Sequence, residues 1–263
     1  MSKIVVEQTE IIKKSKLGNS FYSIRLASFS KAARIVPGQF VHVKIPNPEI
    51  FFRRAFSVYD VDGASGTIEI LFKAIGRGTA FLAELHKGDR LDIIGPLGNG
   101  FSLPKKNEKI ILAAGGVGMP PLYFLAWTLI NKNYDPRKIH FFYGGAKKSD
   151  LIELNRIKKL GIDLITSTDD GSFGIKGFVT VAINGFLEKN PDKYRLYACG
   201  PPGMMKAADN LALEKNIPGQ LSLEAPMPCG IGVCLGCIMP LRKGGNTRVC
   251  REGPVYNIGE VLL

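Results

Sequence analysis

The chain has 263 residues, 45% hydrophobic and 22% charged. These proportions are ordinary for a folded protein and exclude a disordered tail, a collagen-like repeat and a membrane-spanning protein. Lys and Arg number 35 against 23 Asp and Glu, a formal charge of +12, which suits an acidic partner or a phosphate-bearing ligand. No nucleic-acid-binding module is visible. At about 150 residues per domain, one to three domains fit. The first seven residues lack a signal-peptide core, and the most apolar stretch, residues 120–130, is too short to span a bilayer. A cytoplasmic location is therefore expected. Of five cysteines, none precedes Cys199 and four fall within residues 229–250. In a reducing compartment such clusters bind metal or do redox chemistry more often than they form disulfides.

Residues 40–45 alternate, with Val41, Val43 and Ile45 on one face, and residues 67–73 repeat the pattern with Ile68, Ile70 and Phe72. That is the period of half-buried strands. Turn pairs such as Pro37-Gly38, Asp62-Gly63 and Gly95-Pro96 punctuate this region, predicting an antiparallel barrel over residues 1–102. A short helix is expected at residues 79–85, with Thr79 as its N-cap. After Pro104 the pattern changes. Residues 109–114, 139–143, 162–166 and 194–198 read as strands; residues 121–131, 150–160 and 204–215 read as helices. Strands alternating with helices predict a parallel α/β domain over residues 103–220. Residues 221–263 are rich in Cys and Gly with little periodicity and form a third, small unit. The fold class is thus a multidomain α+β chain.

The cysteine block is the most specific signal. Cys229, Cys234, Cys237 and Cys250 follow C-x4-C-x2-C-x12-C, and the first three have the plant-type ferredoxin spacing for a [2Fe-2S] cluster. Gly230, Gly232 and Gly236 would let the loop wrap a small inorganic core and bring amide N–H groups to the sulfurs. A four-cysteine zinc site is the alternative, although zinc ribbons usually pair two CxxC knuckles and this chain has one. A second signal runs through Gly115, Gly116, Gly118, Pro120 and Pro121, joining a strand to a helix. A pyrophosphate can approach such a helix N-terminus, but alone the motif is equally a tight turn. Arg54-Ala55-Phe56-Ser57 and Cys199-Gly200-Pro201 complete the set. Taken singly, the first is a strand with one charge and Cys199 a small apolar residue. His42, His86 and His140 are scattered and read as core or surface residues, and the lysine pairs 105–106, 147–148 and 158–159 read mostly as solvated surface.

In this order the four signals resemble the ferredoxin–NADP reductase superfamily. Arg54, Phe56 and Ser57 match its flavin motif R-x-[YF]-S, with Ala55 where the family more often has Pro. The resemblance implies FAD, with Arg54 at the pyrophosphate, Phe56 by the ring system and Ser57 near flavin N5. Leu71, Phe72 and Lys73 would line the flavin, and Gly78-Thr79 would form a second phosphate-contacting turn. It implies NAD at Gly115, Gly116, Gly118, Pro120, Cys199, Gly200 and Pro201, with Cys199 near the nicotinamide. The block from Ser222-Leu223-Glu224 through Met227-Pro228-Cys229 to Gly253-Pro254-Val255, with Asp169-Asp170-Gly171-Ser172, is similar to the PyrK family. Those proteins are the electron-transfer subunits of NAD-dependent dihydroorotate dehydrogenase.

That resemblance implies an oxidoreductase subunit of pyrimidine biosynthesis. FAD and a [2Fe-2S] cluster held by the four cysteines would connect NAD+ to a separate FMN-type catalytic subunit, in a heterotetramer with two copies of each. No residue is singled out as an acid, base or nucleophile. A barrel, a nucleotide domain and a cysteine domain leave no room for a (β/α)8 barrel of about 250 residues, so dihydroorotate oxidation belongs elsewhere. NAD is expected over NADP, because residues 143–146 offer no Arg to fork onto a 2′-phosphate. A hydrogenase gamma subunit or ferredoxin–NAD(P) reductase of the same superfamily is the alternative enzyme. A redox-sensing or zinc-stabilised interaction module is the non-enzymatic one.

Overall fold

A computed structural model describes residues 4–263. Strands β1 (Val5–Lys16), β2 (Phe21–Ala27), β3 (Phe40–Val43), β4 (Arg54–Asp62), β5 (Thr67–Lys73) and β6 (Arg90–Leu97) form a closed barrel in the order β1-β2-β5-β4-β3-β6. Every pairing is antiparallel. The alternation read in residues 40–45 and 67–73 holds, since Val41, Val43, Ile45, Ile68, Ile70 and Phe72 all enter the barrel core. Phe40 and Leu97 instead pack outward into a core shared with the rest of the chain.

Helix α1 (Arg77–Glu84) starts earlier than expected, and Thr79 is not its N-cap. Thr79 lies inside the first turn, where its hydroxyl accepts from the N–H groups of Ile75 and Gly76 at 3.1 and 3.2 Å and donates to the Gly76 carbonyl. A hydroxyl that serves the preceding turn allows the helix to begin before it.

The second layer comprises β7 (Lys109–Gly115), α2 (Met119–Asn131), β8 (Ile139–Gly145), α3 (Leu154–Lys158), β9 (Asp163–Thr168), β10 (Ile175–Lys176), α4 (Val179–Lys189), β11 (Tyr194–Cys199), α5 (Pro202–Glu214) and β12 (Gly219–Ser222). The helix expected at residues 150–160 shrinks to α3. Leu151 and Ile152 are buried, and Glu153 takes a left-handed φ of 57°, so the helix can begin only at Leu154. Helix α4 lies where no element is expected, although its buried Val179, Ala182, Ile183 and Leu187 keep helical spacing. Beyond β12, β13 (Ile238–Pro240) and β14 (Asn246–Arg248) form a hairpin, and β15 (Val255–Asn257) pairs antiparallel with β12. The sheet order is β10-β9-β8-β7-β11-β12-β15.

Two contacts lock barrel to sheet. Helix α2 sends Leu122, Leu125 and Leu129 to the sheet core and Phe124 to the barrel core, with Trp127 touching both. On α3, Arg156 reaches back to β4 and β5. Its guanidinium donates to Glu69 at 3.2 Å, to Asp60, and to the Tyr123 hydroxyl at 3.1 Å, and lies over the Tyr59 ring at 4.4 Å. Burial pushes the Glu69 carboxyl up, but the Arg25 hydrogen bond and the Arg156 charge outweigh it and hold the group below its ordinary 4.5. A carboxylate with a lowered folded pKa contributes stability above its unfolded pKa and loses it as pH falls through the folded value. Arg156→Ala should therefore cost about 1–3 kcal/mol in urea denaturation at neutral pH, because it leaves the buried Glu69 and the half-buried Asp60 to share Arg25 alone. The gap to the native chain should narrow in acid. An unchanged neutral-pH midpoint would refute the clamp.

Candidate functional site

Strands β7 and β11 are neighbours, with β8 and β9 on one side and β12 on the other. Successive crossovers therefore run in opposite directions from β7, leaving a crevice at the carboxyl ends of β7 and β11. The two glycine turns sit there. A Cβ on Gly118 would stand 2.2 Å from the Cys199 carbonyl oxygen, and one on Gly115 would stand 2.5 Å from the Met204 sulfur. The absent side chains let the two turns touch. Helix α2 begins directly after; Pro120 and Pro121 in its first turn carry no N–H and the Met119 N–H is taken by the Gly116 carbonyl, so what it turns to the crevice is the positive end of its dipole. Gly115, Gly116, Gly118, Gly200 and Pro201 line a cavity of 720 Å³. Asp169 and Phe178, neither expected as a site residue, line it too.

A second cavity of 240 Å³ adjoins it and shares Lys73, Val117 and Glu224, so the two are parts of one groove. Ala55, Phe56, Ser57, Leu71, Phe72 and Thr79 line this part, along with Pro120 and Cys199 from the nucleotide side. Strand alternation leaves Ala55 and Ser57 more open than Phe56, which is buried against Phe72 with ring centroids 5.6 Å apart. Arg54 and the Gly78-Thr79 turn come together, since a Cβ on Gly78 would lie 3.1 Å from Arg54 Nε. The neighbouring Arg53 is paired with Asp92 at 2.6 Å. Arg54 donates only to the carbonyls of Phe52 and Arg53, and has no carboxylate partner among the described residues. Lys73 pairs with Asp150 at 3.1 Å and sits over the Phe21 ring.

Glu224 is the groove residue whose role the sequence did not disclose. It lines both parts of the groove, open to the cavity yet walled by protein behind. Burial pushes its carboxyl above the ordinary 4.5. The buried Cys199 thiol is pushed up as well, first by desolvation and then by the Glu224 charge. A signal existed in Ser222-Leu223-Glu224 following a strand, but only the fold brings it opposite Cys199.

The other four cysteines gather in the C-terminal loop. The Cys237 thiol lies 3.3 Å from the Cys250 sulfur. Cys229 contacts the Cys234 thiol and receives the N–H groups of Cys234, Ile231 and Val233, which outweigh burial and lower its thiol to about 6. Burial and the Cys237 thiol push Cys250 up to about 12. The amide of Gly236 reaches the Cys234 sulfur and that of Cys250 the Cys237 sulfur, both at 3.4 Å. Gly230 and Gly232 have φ of 70° and 84°, as a tightly wrapped loop requires. Gly236 does not take a positive φ; its role is spatial, because a Cβ would meet Pro228 at 3.0 Å, while Leu235 takes the left-handed turn at φ 58°. Among the described residues the thiols stand as pairs, not as a preformed metal cage. Beneath the loop lies His42, fully buried, with Gly230 pressed against its ring.

Residues 5–115 match the oxidoreductase FAD-binding domain, residues 112–210 the oxidoreductase NAD-binding domain, and residues 224–262 the iron-sulfur cluster binding domain of dihydroorotate dehydrogenase B. The electron transfer subunit of dihydroorotate dehydrogenase B (NAD(+)) from Streptococcus thermophilus is 34% identical, covering 99% of this chain and 100% of the relative. The chain belongs to that family. The subunit of the same name from Fusobacterium nucleatum is 36% identical over 98% of this chain and 99% of its own length. Among solved structures, a chain of the NADH-dependent reduced ferredoxin–NADP oxidoreductase superposes with a TM-score of 0.86 at 30% identity, covering 97% of this chain and 89% of that one. The chain thus carries FAD-, NAD- and iron–sulfur-binding domains, which resolves the zinc alternative in favour of a cluster. The donor chemistry fits. Soft thiolate ligands with amides aimed at their sulfurs suit an iron–sulfur core, and an arginine without a carboxylate partner beside a helix start suits a pyrophosphate.

An acid whose folded pKa is raised withholds stability as pH rises past its unfolded value, because ionisation is disfavoured only in the folded state. Glu224→Gln should leave the melting temperature unchanged below the ordinary carboxylate range and raise it above. The variant should also flatten any limb of the NADH-to-flavin pH profile set by Glu224. Parallel melting curves for the two proteins at all pH values would contradict this assignment.

Proposed function

We propose that this chain is the electron-transfer subunit of an NAD-dependent dihydroorotate dehydrogenase, linking a separate flavin-containing catalytic subunit to NAD+ in pyrimidine biosynthesis. The observation that carries the reading is one continuous groove joining the Arg54–Ser57 strand to the Gly115–Gly118 and Cys199–Pro201 turns, with the cysteine loop docked behind it through Met227. When bound, FAD exchanges a hydride with the nicotinamide and single electrons with the [2Fe-2S] cluster; the protein supplies orientation and electrostatics.

Arg54, Gly78 and Thr79 hold the FAD pyrophosphate at the start of α1. Ala55 and Ser57 face the flavin, Phe56 and Phe72 brace it from the barrel, and Leu71 and Lys73 close the groove. Gly115, Gly116, Gly118 and Pro120 present the α2 N-terminus to the NAD pyrophosphate. Cys199, Gly200 and Pro201 bring the nicotinamide beside Glu224. Asp169 in the nucleotide cavity supports NAD over NADP, since a carboxylate there would repel a 2′-phosphate. Cys229, Cys234, Cys237 and Cys250 ligate the cluster. Each of these four changed singly to Ser should lose cluster absorbance while flavin reduction by NADH survives, because a serine oxygen is a harder, poorer ligand. Cys199→Ser should keep its iron. Retained iron in Cys250→Ser with loss in Cys199→Ser would reverse the assignment.

The partner face is the outer side of the cysteine loop. Val233 is 74% exposed and Leu235 54%, and Ile231 and Ile238 lie open nearby. An exposed apolar patch over a redox centre suits a contact surface. We place the catalytic subunit there, in a cytoplasmic heterotetramer with two copies of each subunit. Co-expression with a dihydroorotate dehydrogenase catalytic subunit should yield a stable complex that reduces NAD+ with dihydroorotate, and Leu235→Asp should dissociate it without loss of iron. The likeness to the NADH-dependent reduced ferredoxin–NADP oxidoreductase favours a second reading, a reductase serving a different partner. Failure to bind the dihydroorotate-oxidising subunit, with flavin and cluster intact, would move the weight there.

A further inference from the structure

His42 lies in the middle of β3, where alternation turns Val41 and Val43 into the barrel and His42 out of it, toward the rest of the chain. It pairs in register with Ala55, a groove-lining residue, and Phe40, two residues before it, lines the same groove. On its other side is the cysteine loop. A Cβ on Gly230 would stand 2.6 Å from His42 Nδ1, so the ring rests directly on the loop backbone beside Cys229. The carbonyls of Met227 and Cys229 adjoin the ring. His42 is 0% exposed, yet among the described residues neither ring nitrogen has a hydrogen-bond partner. A buried imidazole without partners is costly, and an apolar side chain would fill the same space without that cost. The groups able to relieve it on the loop side are those two carbonyls.

We infer that His42 is a positioning residue between flavin and cluster: its single ring N–H, turned toward the Met227 and Cys229 carbonyls, steadies the loop backbone against β3, fixing where the cysteine loop meets the groove-lining wall of the barrel. The inference rests on the cluster assignment proposed above. Gly230 is its complement, since any side chain there would displace the ring as well as strain a φ of 70°. Supporting groups behind metal ligands orient them and tune the metal, and here the supporting group comes from the flavin-binding barrel.

The test uses the full chain loaded with FAD and cluster, with His42→Leu, which removes the donor, and His42→Gln, which retains one. His42→Leu should shift the electron paramagnetic resonance signature and the reduction potential of the cluster. It should slow cluster reduction about ten-fold or more, the lower end of the effects of such supporting groups, while flavin reduction by NADH stays unchanged. His42→Gln should restore most of the native signature. A native signature, potential and rate in His42→Leu would overturn the inference. So would equal damage in both variants, which would make the ring a space-filler. A native chain without iron–sulfur absorbance would instead sink the cluster reading itself, so the two failures are distinguishable.

Discussion

The structure depends on one helix whose first eight residues, Met119 to Ala126, have no solvent face. Nine residues of α2, from Met119 to Leu129, are buried, and a helix that is apolar all round is stable only when covered on every side. The sheet covers one side and the barrel the other, so two units that could otherwise hinge are held by a shared core. The clamp also has a direction. Fixing the body of α2 fixes its N-terminus at the crevice between β7 and β11, the point where the glycine turns meet the groove-lining face of the barrel. Arg156 reinforces the same junction with charge, gripping Asp60 and Glu69 of the barrel from α3.

Close backbone approach is the second constraint, and it works in the same place. Gly118 against the Cys199 carbonyl, and Gly115 against Met204 and Pro201, leave no room for a methyl group. The floor of the groove is therefore main chain, and its positive character comes from the dipole end of α2, whose first turn holds Pro120 and Pro121. Such a surface receives an anion without an arginine, which is consistent with the absence of Arg from Tyr143-Gly144-Gly145-Ala146 at the end of the adjacent strand.

What could be read from the chain alone was whatever local geometry determines. The cysteine spacing, the glycine turns and the alternation of β3 and β5 are constraints over a few residues, and each is where it was expected. The errors fall where tertiary contacts decide. Thr79 has the chemistry of an N-cap, but Gly76 takes that place because the chain leaving β5 enters the helix earlier. Residues 150–153 have helical composition, but Leu151 and Ile152 are drawn into the core and Glu153 into a left-handed turn. Gly236 was expected to relax the backbone, and instead makes room for Pro228 while Leu235 bears the positive φ. His42 carried no local signal, and Glu224 only that of the Ser222-Leu223-Glu224 block to which it belongs. Each is a single polar residue whose significance comes from lying opposite something remote in sequence, Cys199 across the groove and Gly230 above β3.

The cysteine loop is sorted into two faces, and the sorting indicates how electrons are confined. Its inner side is dry: Cys237, Val249 and Cys250 are buried in the core that contains Phe40 and Leu97 of the barrel. Its outer side exposes Val233 and Leu235 between the paired thiols. An apolar inner shell keeps water from between the cysteines and the groove, as the proposed electron path on that side would require. An apolar outer surface is left open, where water would be displaced only by a partner. Within the charge excess of +12 no lysine falls between Cys229 and Cys237; the basic groups beside that surface are Arg248, which donates to the Gly232 carbonyl at 2.9 Å, and Arg251, packed against Gly232, so a partner docking there as proposed would meet an apolar centre with a basic flank.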